Sequence, residues 1–277
     1  MKRRSPETVR FICPPDMPYV NAVRGTGVTN EFHRHAHEKL CIGIVRQGAR
    51  VISQAGMSEI IPENALFVIN PGMAHTCKPG SREGHDYLAL CIDTEKIKDI
   101  ASQISGKAGS VPYFAGTLLY DTELTWKIRH LFSLLTHPDP NPILARESAF
   151  VSMLSTLMTH HGDRPPAPRR MGSQQGLINR VRDFIKMHHS ENLSLDQLAE
   201  VASLSSFHFQ RLFLKSTGVS PHDYLMQCRI EKARELLLKG YSIASVALDT
   251  GFVDQSHFSR SFKRVIGTTP GRYLSLP

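Results

Sequence analysis

His208-Phe209-Gln210-Arg211-Leu212-Phe213-Leu214-Lys215 and His257-Phe258-Ser259-Arg260-Ser261-Phe262-Lys263-Arg264 are two versions of one pattern, set 49 residues apart. The offset persists through Gly218/Gly267, Pro221/Pro270, Tyr224/Tyr273 and Leu225/Leu274. Upstream, Leu198-Ala199 matches Val246-Ala247 at an offset of 48, so the second version gains one residue in its turn. Each version therefore reads as a short helix with a small Ala, a tight turn, and a second helix carrying Phe-x-Arg-x-Phe. A small residue lets the two helices approach, and the turn sets their crossing angle. Phe209 and Phe213, like Phe258 and Phe262, stand four apart and share the buried face of a helix. Gln210, Arg211, Gln255 and Arg260 are left to point outward. A single such helix would read as a bundle helix with solvated arginines; two versions identical at nine positions read as paired helix-turn-helix units.

The surrounding punctuation agrees. Ser194, Ser205, Ser220 and Ser242 stand where helix N-caps are wanted, and Gly218, Gly240 and Gly267 where helices stop. The expected helices are 174–189, 195–202, 207–216, 221–238, 243–250, 255–265 and a short one from Pro270. Upstream lies Gly162-Asp163-Arg164-Pro165-Pro166-Ala167-Pro168-Arg169-Arg170-Met171-Gly172, with three prolines and no apolar periodicity. It reads as a semi-rigid linker over 162–173, dividing a domain at 1–161 from one at 174–277.

In the N-terminal half, short apolar runs such as Cys41–Val45, Ala65–Ile69 and Tyr87–Ile92 are separated by turn residues, which predicts an antiparallel β-barrel or sandwich. Two amphipathic helices follow over 121–136 and 143–160. The chain is thus expected to have two domains, β-barrel plus two helices and then all-α.

Composition narrows the function. Of the 277 residues, 41% are hydrophobic and 21% charged, as in ordinary globular proteins. No apolar run is long enough to span a bilayer, and no secretory signal follows the basic start, so a cytoplasmic protein without a membrane partner is expected. Five cysteines at irregular spacing favour free thiols. The net charge of +8 favours a polyanionic partner. Residues 173–277 carry 13 Lys/Arg against 9 Asp/Glu, a larger excess than the 17 against 15 of residues 1–161.

The stretch Ile243–Arg264, followed by Gly267-Thr268-Thr269-Pro270-Gly271-Arg272-Tyr273, resembles the arabinose-regulator (AraC/XylS) family of transcription factors, and the likeness extends over 174–277. The resemblance implies sequence-specific binding of double-stranded promoter or operator DNA, with two recognition helices in successive major-groove segments. Carried over by position, Phe207, Gln210 and Arg211 would face bases from the first helix, and Gln255, Ser256, Ser259 and Arg260 from the second. Lys215, Lys263 and Arg264 would meet phosphates. Arginine to guanine and glutamine to adenine are the pairings geometry favours.

Gly27–His37 with Ile42–Gly48, and then Asn64–His75, resemble the two motifs of a cupin barrel as this family writes them. The resemblance implies a small-molecule effector inside the barrel, with His35, His37, Arg46, Met73, His75 and Tyr87 as candidate pocket residues. It also implies RNA polymerase as a partner and a homodimer contact through one of the two helices. If the strand is regular, His33, His35 and His37 point one way. His35, His37 and His75, with Cys41, are candidate ligands for a transition metal, since imidazole suits Zn, Fe, Cu or Ni. Metal-binding cupins add a Glu four positions after the second His; Lys39 or Cys41 stands there instead. The histidines therefore read either as pocket-lining residues or as a soft-metal sensor. A metal-dependent cupin enzyme with a DNA module is the rival reading, and the missing Glu speaks against it. A purely architectural DNA protein is a further rival, which the 160-residue N-terminal domain argues against.

Overall fold

The computed structural model describes residues 7–54, 56–136, 143–163, 165 and 175–274. Two compact units form: Met1–His137 with Ser152–Arg169, and Pro138–Val151 with Arg170–Pro277. Residues 143–151, assigned by sequence to the first domain, group with the second. Apart from residues 162, 163 and 165, the expected linker over 162–173 lies outside the described residues.

The first unit holds two antiparallel sheets. One runs in the order β1 (Thr8–Ile12), β2 (Val20–Val28), β9 (His85–Ile92), β4 (Leu40–Gln47), β7 (Leu66–Ile69) and β10 (Leu118–Leu119). The other runs β3 (Phe32–His35), β8 (His75–Pro79), β5 (Arg50–Gln54) and β6 (Met57–Ile61). Side chains alternate along each strand. Val23, Cys41, Val45, Phe67, Tyr87 and Ala89 of the first sheet share one core with Ile52, Ile61 and Cys77 of the second. The opposite face of the first sheet is buried too, through Leu40, Ile42, Ile44, Leu88, Leu90 and Ile92. Burial on both faces explains why β4 reads as a continuous apolar run rather than an alternation.

Two glycines shape this interior. Gly25 pairs with Tyr87 and Gly43 with Phe67 across adjacent strands. A Cβ on Gly25 would come within 2.2 Å of the Tyr87 ring, and one on Gly43 within 2.3 Å of Phe67. Each ring occupies the space that a side chain at its glycine would take.

Three helices accompany the sheets: α1 (Thr94–Ser105), α2 (Thr122–Thr136) and α3 (Ile143–His161). The two expected helices appear as α2, which lies against β4, and α3. The reading by strands passed over α1, although its buried Ile97, Ile100, Ala101 and Ile104 follow the i, i+3, i+4, i+7 spacing.

The second unit contains α4 (Gln175–Met187), α5 (Leu195–Val201), α6 (Ser206–Thr217), α7 (Pro221–Leu238), α8 (Ile243–Asp249), α9 (Gln255–Ile266) and α10 (Pro270–Leu274). The serines at 194, 205, 220 and 242 each accept a hydrogen bond from a backbone N–H three residues on, and Asp254 does the same for α9. Gly218 and Gly267 end α6 and α9 in the left-handed conformation. The repeat holds in three dimensions. Phe209 and Phe213 meet edge to face at 5.4 Å, and Phe258 and Phe262 at 5.5 Å. Tyr224 then packs on Phe213, as Tyr273 does on Phe262. Each turn has one left-handed residue at equivalent positions, Ser203 in the first and Gly251 in the second. Only glycine suits the second, because a Cβ there would sit 2.5 Å from the Ser190 carbonyl oxygen.

Candidate DNA interface and effector site

On α9 the buried face is His257, Phe258, Ser261 and Phe262. This leaves Gln255, Ser256, Arg260, Lys263 and Arg264 exposed and Ser259 half-buried, all on the outward side. Lys263 and Arg264 in the last turn also oppose the negative end of the helix dipole. An outward row of polar and basic side chains on a helix held by two buried phenylalanines is what major-groove reading requires.

On α6 the match is partial. Arg211 and Lys215 are exposed. Phe207, expected to face a base, is instead buried. Gln210 is half-buried, and its side-chain Nε2 donates to the backbone oxygen of Ser148 at 2.8 Å. The Leu195 N–H donates to Glu147 Oε2 at 2.7 Å. The start of α3, which belongs to the second unit, therefore occupies the face of the first helix-turn-helix that the sequence assigned to DNA. Sequence could not show this, because the contact joins residues 62 positions apart.

Within this unit, Arg229 of α7 is fully buried, yet its Nε donates to the His189 carbonyl oxygen and its Nη2 to that of Glu191. That pairing ties the long helix to the end of α4 and satisfies a costly buried charge.

The first unit concentrates polar groups on the inward face of β3-β8-β5-β6. His35, His37 and His75 converge there, with candidate ligand atoms within 4.8 Å of one another. Each ring nitrogen Nδ1 lies against a backbone carbonyl oxygen: His33 for His35, Lys39 for His37 and Met73 for His75, at 2.8, 2.9 and 2.8 Å. A carbonyl accepts only from N–H, so each Nδ1 carries a proton, and in the neutral ring the Nε2 lone pair is the one left for the cluster. Burial, with the neighbouring His35 and His37, holds His75 below the usual imidazole pKa. Cys41 Sγ lies 3.5 Å from His37 Nε2. Its thiol donates to Cys91 Sγ at 2.6 Å, which pushes the Cys41 pKa up and draws that of Cys91 down.

Of the remaining candidate pocket residues, Tyr87 is buried in the interior and Met73 packs against it. Arg46 is exposed at the end of β4 and does not line the interior, a correction to the sequence expectation. The interior guanidinium belongs to Arg50, which sequence reasoning missed. Its carbon lies 4.2 Å from the centre of the Tyr87 ring, 5.2 Å from Phe67 and 5.6 Å from Phe32. Nη1 faces His85 Nε2 at 3.3 Å. Burial, then Arg50, hold His85 down at a pKa of about 4, so it is neutral at pH 7 and accepts the hydrogen bond. The available signal was alternation: Arg50, Ile52 and Gln54 share one face of β5, and Ile52 is core.

A helical unit with two helix-turn-helix repeats and a sheet unit with a polar interior, in one chain, define a DNA-binding transcription regulator with a ligand-binding domain. Residues 198–275 match the family described as a helix-turn-helix domain, and residues 18–154 match the AraC-like ligand binding domain. The chain belongs to the AraC family of transcription regulators. It is 29% identical over 244 residues to the uncharacterized HTH-type transcriptional regulator YbfI of Bacillus subtilis, covering 86% of each chain. It is 28% identical to the probable transcriptional regulator LumQ of Photobacterium leiognathi, covering 87% of this chain and 91% of that one. Among solved structures, the C-terminal domain of AraT, a response regulator from Geobacillus stearothermophilus, is 33% identical with a TM-score of 0.35, covering 36% of this chain and 84% of that one. Among the described residues, no helix is long and apolar enough to cross a membrane.

Proposed function

We propose that this regulator answers to a small effector held against the inward face of β3-β8-β5-β6, and that occupancy of that face sets how the helical unit engages promoter DNA. One observation carries the reading. On that face Arg50 Nε, Gln54 Oε1 and Glu59 Oε2 are buried without hydrogen-bond partners. Buried polar atoms are nearly always paired, so three orphans on one face call for a polar ligand. Gln255, Ser256, Ser259, Arg260 and Arg211 read bases in this scheme; Lys215, Lys263 and Arg264 hold phosphates. Phe207 and Gln210 join them once the start of α3 leaves α6. The working form is a cytoplasmic homodimer joined through α2 or α3, with RNA polymerase as its downstream partner, and no catalytic step is assigned to it.

The test is selection of bound duplexes from random sequence by the full chain, followed by footprinting. Two protected major-groove segments about one helical turn apart are expected. Failure to enrich any sequence over bulk DNA would remove the reading. Sedimentation with the selected duplex tests the dimer.

A second reading has its own support. Three Nε2 lone pairs fixed by three Nδ1–H to carbonyl bonds are the outer-shell arrangement that orients histidine ligands on a metal. His35, His37 and His75 would hold a transition ion, with Cys41 within reach as a sulfur donor, and the ion would serve sensing. Cobalt(II) titration is expected to give visible absorption at one equivalent, lost in His75→Ala. No binding would leave the histidines as pocket-lining groups.

A further inference from the structure

We infer that the effector is an anion, a small monocarboxylate whose charged end is taken by Arg50. The inference rests on the reading that the inward face of the four-stranded sheet is the effector site. Arg50 is only 6% exposed, and its Nε–H meets no acceptor. Among the described residues no carboxylate stands within ion-pair distance of it. Its hydrogen-bond partners are the neutral His85 imidazole and the Tyr87 hydroxyl, neither of which carries a charge.

The contrast with Arg229 is internal to the chain. Arg229, equally buried, has two backbone carbonyl oxygens on its Nε and Nη2. Arg50 has three aromatic rings around a fork that still lacks an anion. A buried guanidinium without a counter-charge is strongly disfavoured, and its planar fork matches a carboxylate two hydrogen bonds at a time.

The surroundings narrow the ligand further. One guanidinium with no carboxylate in ion-pair contact matches a singly charged anion better than a multiply charged phosphate. Tyr87, Phe67 and Phe32 offer apolar walls for the body next to the carboxylate. Glu59 lies opposite Ile52 in register and so shares the inward face, about two residues, or roughly 7 Å, along the strand from Arg50. Its unpartnered Oε2, with Gln54 Oε1 beyond, would accept from a hydroxyl or amine at the far end. The same carboxylate repels a second acid there and orients the ligand head to tail.

Formate and acetate are carboxylates small enough to reach the guanidinium whatever the full effector's size. Thermal unfolding of the full chain in formate or acetate is compared with chloride at equal ionic strength, and with formamide and acetamide. A saturable rise in Tm with the carboxylates alone is expected. Arg50→Met is expected to abolish it and Arg50→Lys to weaken it about tenfold or more, the worth of one charged hydrogen bond. Without ligand, Arg50→Met should be at least as stable as the parent, because it removes an unpaired buried charge. Carboxylates no better than chloride, or an equal shift in Arg50→Met, overturns the inference. If Arg50→Met does not fold, the carboxylate and amide arms on the parent decide alone. Amides acting where carboxylates fail would keep the effector site and discard the anion. Neither acting, with unaltered DNA binding in Gln54→Leu and Glu59→Gln, would discard the site as well.

Discussion

The Arg50 guanidinium carbon stands 4.2 Å from the centre of the Tyr87 ring, and Gly25 is what allows the ring to lie there. Gly25 faces Tyr87 across β2 and β9, and any Cβ at that position would overlap the ring. Gly25→Ala is therefore expected to displace Tyr87 and cost about 1–3 kcal/mol, the usual range for overpacking. Urea unfolding measures the loss. Adding Tyr87→Leu to Gly25→Ala should recover part of it, and a double variant no better than the sum of the singles would show that the ring is not what the methyl meets.

The neutral His85 beside Arg50 makes stability depend on acid. The unfolded imidazole titrates near 6.5, while the folded one is held at about 4 by burial and then by Arg50. Between those values the unfolded chain takes up the proton first, so stability is complete above pH 6.5 and falls as pH drops toward 4. The fall is about 3 kcal/mol at most for this residue, and buried His75 adds in the same direction. Urea midpoints measured from pH 8 to 4.5 should decline in the parent and decline less in His85→Gln. A flat parent curve would contradict the assignment.

Arg260 and Phe258 stand two residues apart on α9 and separate reading from folding. Arg260 is exposed, so Arg260→Ala should leave stability nearly unchanged and weaken specific binding by about 1–3 kcal/mol. Phe258 is fully buried, so Phe258→Ala should cost about 3–5 kcal/mol of stability. Fluorescence anisotropy on selected and random duplexes distinguishes the roles. Equal loss on both duplexes in Arg260→Ala would make it a phosphate contact.

Glu147 and Ser148 hold the start of α3 on α5 and α6 through Leu195 and Gln210. Glu147→Ala removes one of these bonds and should raise affinity for selected DNA several-fold, by about one hydrogen bond's worth. The measurement is anisotropy with the selected duplex, beside hydrogen exchange of residues 143–151 with and without DNA. Unchanged affinity together with unchanged exchange would mean that the first recognition helix engages DNA without releasing this segment.

The helical unit was legible almost residue by residue, because its determinants are local. Capping serines, terminal glycines and phenylalanines four apart act within one turn of helix, and a repeat of 49 residues states them twice. The outward row on α9 followed from the same periodicity. The strands around Cys41, Phe67 and Leu88 were legible as apolar runs, and α1 was readable from its spacing but overlooked.

What only the tertiary structure decided lies where distant segments meet. It buried Phe207, and it engaged Gln210 because the start of α3 packs there. It placed Arg46 outside and Arg50 inside, because sheet pairing sets which face of a strand is core. It brought His35 and His37 to His75, a proximity the sequence proposed from motif likeness alone. Sequence determined what this chain is through rules that operate over a few residues. The groups it offers to a ligand were decided by register across strands, which no local pattern records.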